Sequence, residues 1–256
     1  MKKLLFIVVV LLELIVIGCT KKNVDPYCVS RNKTPMELLN TGEKALAKEN
    51  YVEAVKNFKA LNAIYPFWPR AQQAELDTIY AYYKSGDMAS AIIAADRYIH
   101  LYPQGLHVDY AYYMRGVIDF DFGLSCLQKL ADVNPAAHDV STLQQSFAAF
   151  TTLVQNFPHS LYISDALTRM RYIRNLMAQR EITIAEFYMK RYAYLAAANR
   201  ASYVVQHFQG SPQVIKGLAI MVQAYRALNL PKIADSIYHL LQTNYPDAPE
   251  LKLLII

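Results

Sequence analysis

Asp119 and Asp121 stand two residues apart in the string Val-Ile-Asp-Phe-Asp-Phe-Gly. Paired carboxylates in one cleft can share acid–base work. On a helix, however, residues two apart are separated by about 200°, so this pair faces opposite ways. The six histidines (His100, His107, His138, His159, His207 and His239) include no i, i+4 pair, and their spacing is not that of metal ligands. No Gly-rich phosphate loop, paired Cys-x-x-Cys or Gly-x-Ser-x-Gly is present. These residues predict a chain that is not an enzyme and carries no metal or cofactor.

Covalent chemistry is expected at one place, Cys19. Met1-Lys2-Lys3 is a short basic start, and Leu4 to Leu12 is an unbroken apolar run, the pattern of a signal segment. Glu13 interrupts the stretch, which is too short for the ~20 apolar residues of a membrane-spanning helix. It ends Val16-Ile17-Gly18-Cys19, which resembles the lipobox of bacterial lipoproteins, with Val16 where that motif favours Leu. Small Gly18 lets a peptidase reach the bond, and the Cys19 thiolate takes a diacylglycerol. The lipobox resemblance implies S-diacylglycerol and N-acyl groups on Cys19, enough chains for a stable anchor. Thr20 follows in place of Asp, which in Gram-negative lipoproteins implies export to the outer membrane. Cys28 and Cys126, the other two thiols, have no spacing pattern and are expected to be unpaired.

The elements that carry these residues follow from composition and periodicity. The 256-residue chain is 54% hydrophobic and 18% charged, enough apolar mass for a packed core and too little charge for a disordered chain. A formal net charge of +5 without a basic stripe argues against nucleic acid as a partner. Twenty Tyr and 10 Phe against one Trp suit helical hairpins, which use many mid-sized rings as knobs.

A helical pattern repeats five times. Ala54, Phe58, Leu61 and Pro66 return as Ala91, Ala95, Tyr98 and Pro103, then as Ser146, Phe150, Leu153 and Pro158. Ala197, Ala201 and Val204 follow with Gln209 in place of proline, and Ala234, Tyr238, Leu241 and Pro246 complete the set. The anchors are spaced by 37, 55, 51 and 37 residues, close to the tetratricopeptide period with insertions in the middle. Twelve residues before an anchor, the first helix of each hairpin should carry a small residue, with a ring or small residue three further on. Gly42 with Ala45 and Ala185 with Tyr188 fit; Ile79 with Tyr82 and Val222 with Tyr225 keep the ring alone. Gly116 fills the position in the third repeat, although an insertion separates it from Ser146.

The expected fold is therefore all-α, a tetratricopeptide-repeat solenoid of about five helical hairpins. The first insertion, 117–140, extends the first helix of repeat three and turns through Asn134-Pro135. The second, 162–180, has apolar residues at helical spacing and is read as an additional or extended helix, with Arg169, Arg171, Arg174 and Arg180 on its other faces. Such arrays bind extended or helical peptides in a groove. Among the rings of Tyr65-Pro66-Phe67-Trp68-Pro69, Tyr65 and Trp68 are expected to be partly exposed, and Phe67 to pack between repeats one and two.

Longer strings sharpen the reading: Gln72-Gln73-Ala74-Glu75-Leu76-Asp77-Thr78-Ile79-Tyr80-Ala81-Tyr82-Tyr83-Lys84, Asp109-Tyr110-Ala111-Tyr112-Tyr113-Met114-Arg115-Gly116, and Ala185-Glu186-Phe187-Tyr188 with Asn199-Arg200. From about Met36 to Pro246 the chain resembles the BamD (ComL/YfiO) family. That resemblance implies a non-enzymatic lipoprotein of the outer-membrane β-barrel assembly (BAM) complex, anchored facing the periplasm. It implies docking on the periplasmic (POTRA) repeats of BamA beside other BAM lipoproteins, and help in receiving unfolded barrel precursors. Tyr65, Phe67 and Trp68 fall at the substrate-peptide groove, with Trp68 where the family more often has a small residue. Tyr188, Arg191 and Arg200 fall within the partner-binding motif, where arginine's planar fork suits a carboxylate.

The expected organisation is a signal peptide at 1–18, a lipidated tether at 19–34, repeats one and two at 35–107, and repeat three with insertions at 108–184. Repeats four and five, 185–250, form the BamA-docking half, and the apolar tail 251–256 is a strand, a packing tail or a contact surface. The competing reading is a different periplasm-facing repeat lipoprotein serving cell-wall or secretion machinery.

Overall fold

Ala54, Ala91, Ser146, Ala197 and Ala234, the five repeat anchors, are each completely buried. The residues seven further on (Leu61, Tyr98, Leu153, Val204 and Leu241) are buried as fully. The computed structural model describes residues 27–28, 30–129 and 140–254, with the backbone alone for 126–129. The signal segment 1–18, Cys19 and most of the tether, the Cys126 side chain, the Asn134-Pro135 turn and residues 255–256 lie outside the described residues.

The described residues are helical, with no strand. After a 3-10 turn at Ser30–Asn32 come α1 (Pro35–Ala47), α2 (Tyr51–Ile64), α3 (Ala71–Lys84), α4 (Met88–Leu101), α5 (Val108–Lys129) and α6 (Ser141–Asn156). Then follow α7 (Ile163–Lys190), α8 (Tyr194–His207), α9 (Gln213–Ala227), α10 (Pro231–Asn244) and α11 (Pro249–Leu254). The chain forms two compact units, divided after Ala74 within α3.

The first unit is built on the α1–α2 hairpin. Thr34 opens α1 with a capping box: its hydroxyl accepts from the Glu37 N–H, and Glu37 accepts in return from the Thr34 N–H at 2.7 Å. These bonds satisfy donors that a helix start leaves open. A β-carbon on Gly42 would come within 2.4 Å of the Phe58 ring, so only glycine lets the two helices approach this closely.

The second unit holds the remaining four hairpins. Leu76, Ile79, Ala91, Ala95 and Tyr98 join α3 to α4 and pack on Ala111, Met114 and Ile118 of α5. The insertions resolve into helix length. In α7 a single 28-residue helix serves two neighbours: Ala166 and Ile173 pack with Phe150 and Leu153 of α6, whereas Ala178, Ile182 and Ala185 pack with Ala197, Ala201 and Val204 of α8. The separation of Gly116 from Ser146 is closed in space, because the Ser146 hydroxyl donates to the Gly116 carbonyl at 2.8 Å.

Each hairpin ends in one recurring turn. Tyr65, Tyr102, Phe157, Phe208 and Tyr245 cap α2, α4, α6, α8 and α10 with φ between −118° and −138° and ψ between 40° and 64°. This conformation leaves the α region that a following proline disfavours. Phe208 adopts it before Gln209, so proline reinforces the stop without being required for it. The residue three beyond each cap donates its N–H back to the cap carbonyl. That residue is Gly105, Ser160, Ser211 or Ala248 in the second unit and Trp68 in the first.

The tail at 251–254 is a packing element. Leu251 and Leu254 are buried in α11 against Val214 and Leu218 of α9, and Arg226 donates to the Leu254 carbonyl at 2.7 Å.

Candidate functional site

In the first unit the Tyr65–Trp68 turn is shaped by its cap. The Tyr65 hydroxyl donates to the Lys33 carbonyl at 3.0 Å, which fixes the ring against the start of the unit. Trp68 is half-buried, and Phe67 is 98% exposed. The expectation that Phe67 packs between repeats is therefore corrected. The turn's backbone hydrogen bonds, Trp68 N–H to Tyr65 and Ala71 N–H to Trp68, hold position 67 at the outside of the bend. The turn thus presents the whole Phe67 ring to solvent from a fixed backbone.

In the second unit the C-terminal end of α7 and the start of α8 form an aromatic turn. Tyr188 is half-buried against the α7–α8 core, its ring edge-to-face with Phe187 at 5.9 Å. The Tyr188 carbonyl accepts from Arg191 and Ala193 and closes the helix. Arg191 is exposed, its guanidinium 4.6 Å from the centre of the Phe187 ring, a cation–π contact that orients the charge. Tyr192 follows at φ +61° and 78% exposed, and Leu195 is 59% exposed.

Arg200 has a carboxylate partner within its own chain. Its Nη1 donates to Glu181 Oε2 at 3.0 Å, and Glu181, buried in α7, also accepts from Arg180 at 3.1 Å. About half of the Arg200 side chain stays exposed. The structure thus brings Tyr188 and Arg191 together at one turn and ties Arg200 to the α7–α8 packing.

Phe187, Tyr192 and Leu195 were not singled out by sequence reasoning. The repeat register held a signal for Tyr192. Five residues before an anchor stand Glu49, Gly86, Tyr192 and Asn229, all with positive φ. Glycine and asparagine take that conformation readily, and a bulky tyrosine does not.

Asp119 and Asp121 face opposite sides of α5, as their spacing requires. Asp119 is fully buried and ion-pairs with Arg115. Asp121 accepts from the Tyr83 hydroxyl at 2.5 Å and lies 3.7 Å from Arg169. Arg169 donates to Asp165 at 2.6 Å, and Tyr113 donates to the same carboxylate at 2.9 Å. This network ties α3, α5 and α7 together. Burial and the hydrogen bond to Asp121 push the Tyr83 hydroxyl up to about 12, and burial with the bond to Asp165 does the same for Tyr113. Burial raises Asp165, but the bonds from Arg169 and Tyr113 outweigh it and hold the carboxyl below its ordinary value. Among the described residues no group of three or more His, Cys, Asp or Glu side chains could hold a metal. Cys28 is exposed and free.

Hairpins joined by recurring caps, with aromatic turns turned to solvent, define a helical-repeat protein of the tetratricopeptide class. The model of the YfiO family, described as outer membrane lipoprotein, matches residues 31–240. The chain belongs to this family, whose curated members include the BamD proteins. It is 37% identical over 254 residues to the outer membrane protein assembly factor BamD of Neisseria meningitidis serogroup B, covering 98% of this chain and 94% of the relative. The BamD of Xylella fastidiosa (Temecula1) is 34% identical over 243 residues, covering 93% and 81%. That of Haemophilus influenzae is 31% identical over 261 residues, covering 98% of each. Among the described residues no helix is long and apolar enough to cross a membrane.

Proposed function

We propose that this chain is a non-enzymatic outer-membrane protein assembly factor, anchored through acylated Cys19 and facing the periplasm. The observation that carries the reading is similarity over nearly the whole chain to proteins named for that role. The chemistry of the two turns agrees with it. Unfolded barrel precursors are extended chains with alternating apolar side chains, and the exposed Phe67 ring beside Trp68 offers them an apolar foothold while Tyr65 holds the turn. In the second unit, Arg191 held over Phe187, with Tyr188 and Tyr192 beside it, offers a cation set among rings, the residue types that concentrate binding energy at interfaces. This turn docks the periplasmic POTRA repeats of BamA, and other BAM lipoproteins complete the assembly. Arg200 supports the docking surface by fixing α8 on α7.

A photo-reactive phenylalanine analogue in place of Phe67 tests the precursor role. It should crosslink to an unfolded barrel precursor in isolated membranes, and Phe67→Ser should weaken precursor binding. Absence of the crosslink together with full binding by Phe67→Ser would overturn that role. Cys19→Ser should release the protein from membranes, and retention would contradict the anchor.

A further inference from the structure

On the side of α5 away from the Tyr113–Asp165 network lies a solvent-open groove of about 590 Å³. Its walls are α4, which contributes Asp96 and His100, and α6, which contributes Ala148 and Ala149; Tyr112 and Arg115 of α5 form the floor. None of these residues belongs to either aromatic turn.

The charges of the groove do not balance. Arg115 donates through Nε to Asp96 at 2.8 Å and through Nη1 to Asp119. Asp119 is completely buried, and its second oxygen has no hydrogen-bond partner. Asp96 gives one oxygen to Arg115 and remains 56% exposed. The opposite wall adds no charge, because α6 contains no ionisable side chain. With histidine counted neutral, two carboxylates share one guanidinium, and the exposed one lies at the groove. Ile99, Pro103, Ala148 and Ala149 give the walls apolar surface beside Gln145 and His100, and the Tyr112 ring is packed 5.8 Å from Phe157.

We propose that this groove is a second binding site, for an extended peptide segment carrying one arginine or lysine flanked by apolar side chains. Asp96 takes the cation, and the alanine wall and Tyr112 take the apolar neighbours. The proposal is independent of the assembly role, since it rests on the charge and shape of α4, α5 and α6.

The test uses the full chain in detergent and two fluorescein-labelled pentapeptides, acetyl-Ala-Leu-Arg-Leu-Ala-amide and its twin with citrulline for arginine. Citrulline keeps the shape and removes the charge. The arginine peptide should bind saturably and at least about threefold more tightly than the citrulline twin, the scale expected for a half-exposed ion pair. Asp96→Asn should erase that difference. Ala148→Trp, at an exposed position of the groove wall, should fill the groove and abolish binding, with helical circular dichroism confirming that both variants fold. Equal affinity for the two peptides, no binding of either, or undiminished binding by Ala148→Trp would each overturn the proposal.

Discussion

The Phe150 ring lies directly on the backbone of Gly116, so close that a β-carbon at 116 would stand 2.5 Å from Cε1. Phe150 is completely buried, and the same glycine accepts the Ser146 hydroxyl. One backbone position thus receives both a ring and a hydrogen bond from the second helix of its hairpin. The first unit repeats the relationship between Gly42 and Phe58.

Gly116→Ala should therefore lower stability. Alanine gains about 1 kcal/mol of helix propensity, but overpacking a filled core costs about 1–3 kcal/mol. A net loss near 1 kcal/mol is expected as a lower urea midpoint followed by circular dichroism. Phe150→Leu in the same chain should recover part of the loss. An unchanged midpoint for Gly116→Ala would contradict the close approach.

Arg200→Glu should destabilise the protein before it affects any partner. The change sets a carboxylate against buried Glu181. Breaking a buried pair costs about 3–5 kcal/mol, and the half-exposed arginine reduces this to about 1–2 kcal/mol. Arg191→Gln removes only an exposed cation–π contact and should cost less than about 1 kcal/mol. Loss of partner binding in Arg191→Gln with an unchanged midpoint would locate docking at the turn; loss in Arg200→Glu alone would reflect folding.

Tyr192→Gly should stabilise the chain and weaken docking. An ordinary residue in the left-handed region costs about 1–2 kcal/mol, and glycine's added chain entropy returns about 0.5–1 kcal/mol. A gain near 0.5 kcal/mol in the urea midpoint is expected, together with weaker partner binding. Lower stability would show that the Tyr192 side chain holds the turn.

The buried tyrosines should titrate late. Tyr83, Tyr98 and Tyr113 are pushed up to about 12, and burial raises Tyr110 as well. Each favours the protonated ring in the folded chain, so the stability it contributes is complete below the unfolded value near 10 and is lost as pH rises toward 12. Tyrosinate absorbance at alkaline pH should therefore lag for these rings until the chain unfolds. A single transition near 10 with the helices intact would contradict their burial.

Much of this architecture was legible because repeats reveal themselves by self-similarity. The buried anchors from Ala54 to Ala234 and their partners seven residues on follow from spacing alone, and the spacing of Asp119 and Asp121 correctly separates them. Exposure at the Tyr65–Trp68 turn was legible in part: Tyr65 and Trp68 are partly exposed as expected, but Phe67 read as core, and only the backbone geometry puts it outside. The pairing of Arg200 with Glu181 joins residues on two helices, with no local pattern to mark it. Likewise, the length of α7 showed as helical spacing, but its packing on both α6 and α8 depends on tertiary contacts.

The most direct measurement is affinity purification of the tagged full-length chain from gently solubilised membranes, with co-purifying proteins identified and quantified by mass spectrometry. The account predicts a large outer-membrane barrel protein with periplasmic repeats at near-equal amount, reduced by Arg191→Gln. Recovery of cell-wall or secretion components without that barrel protein would contradict it.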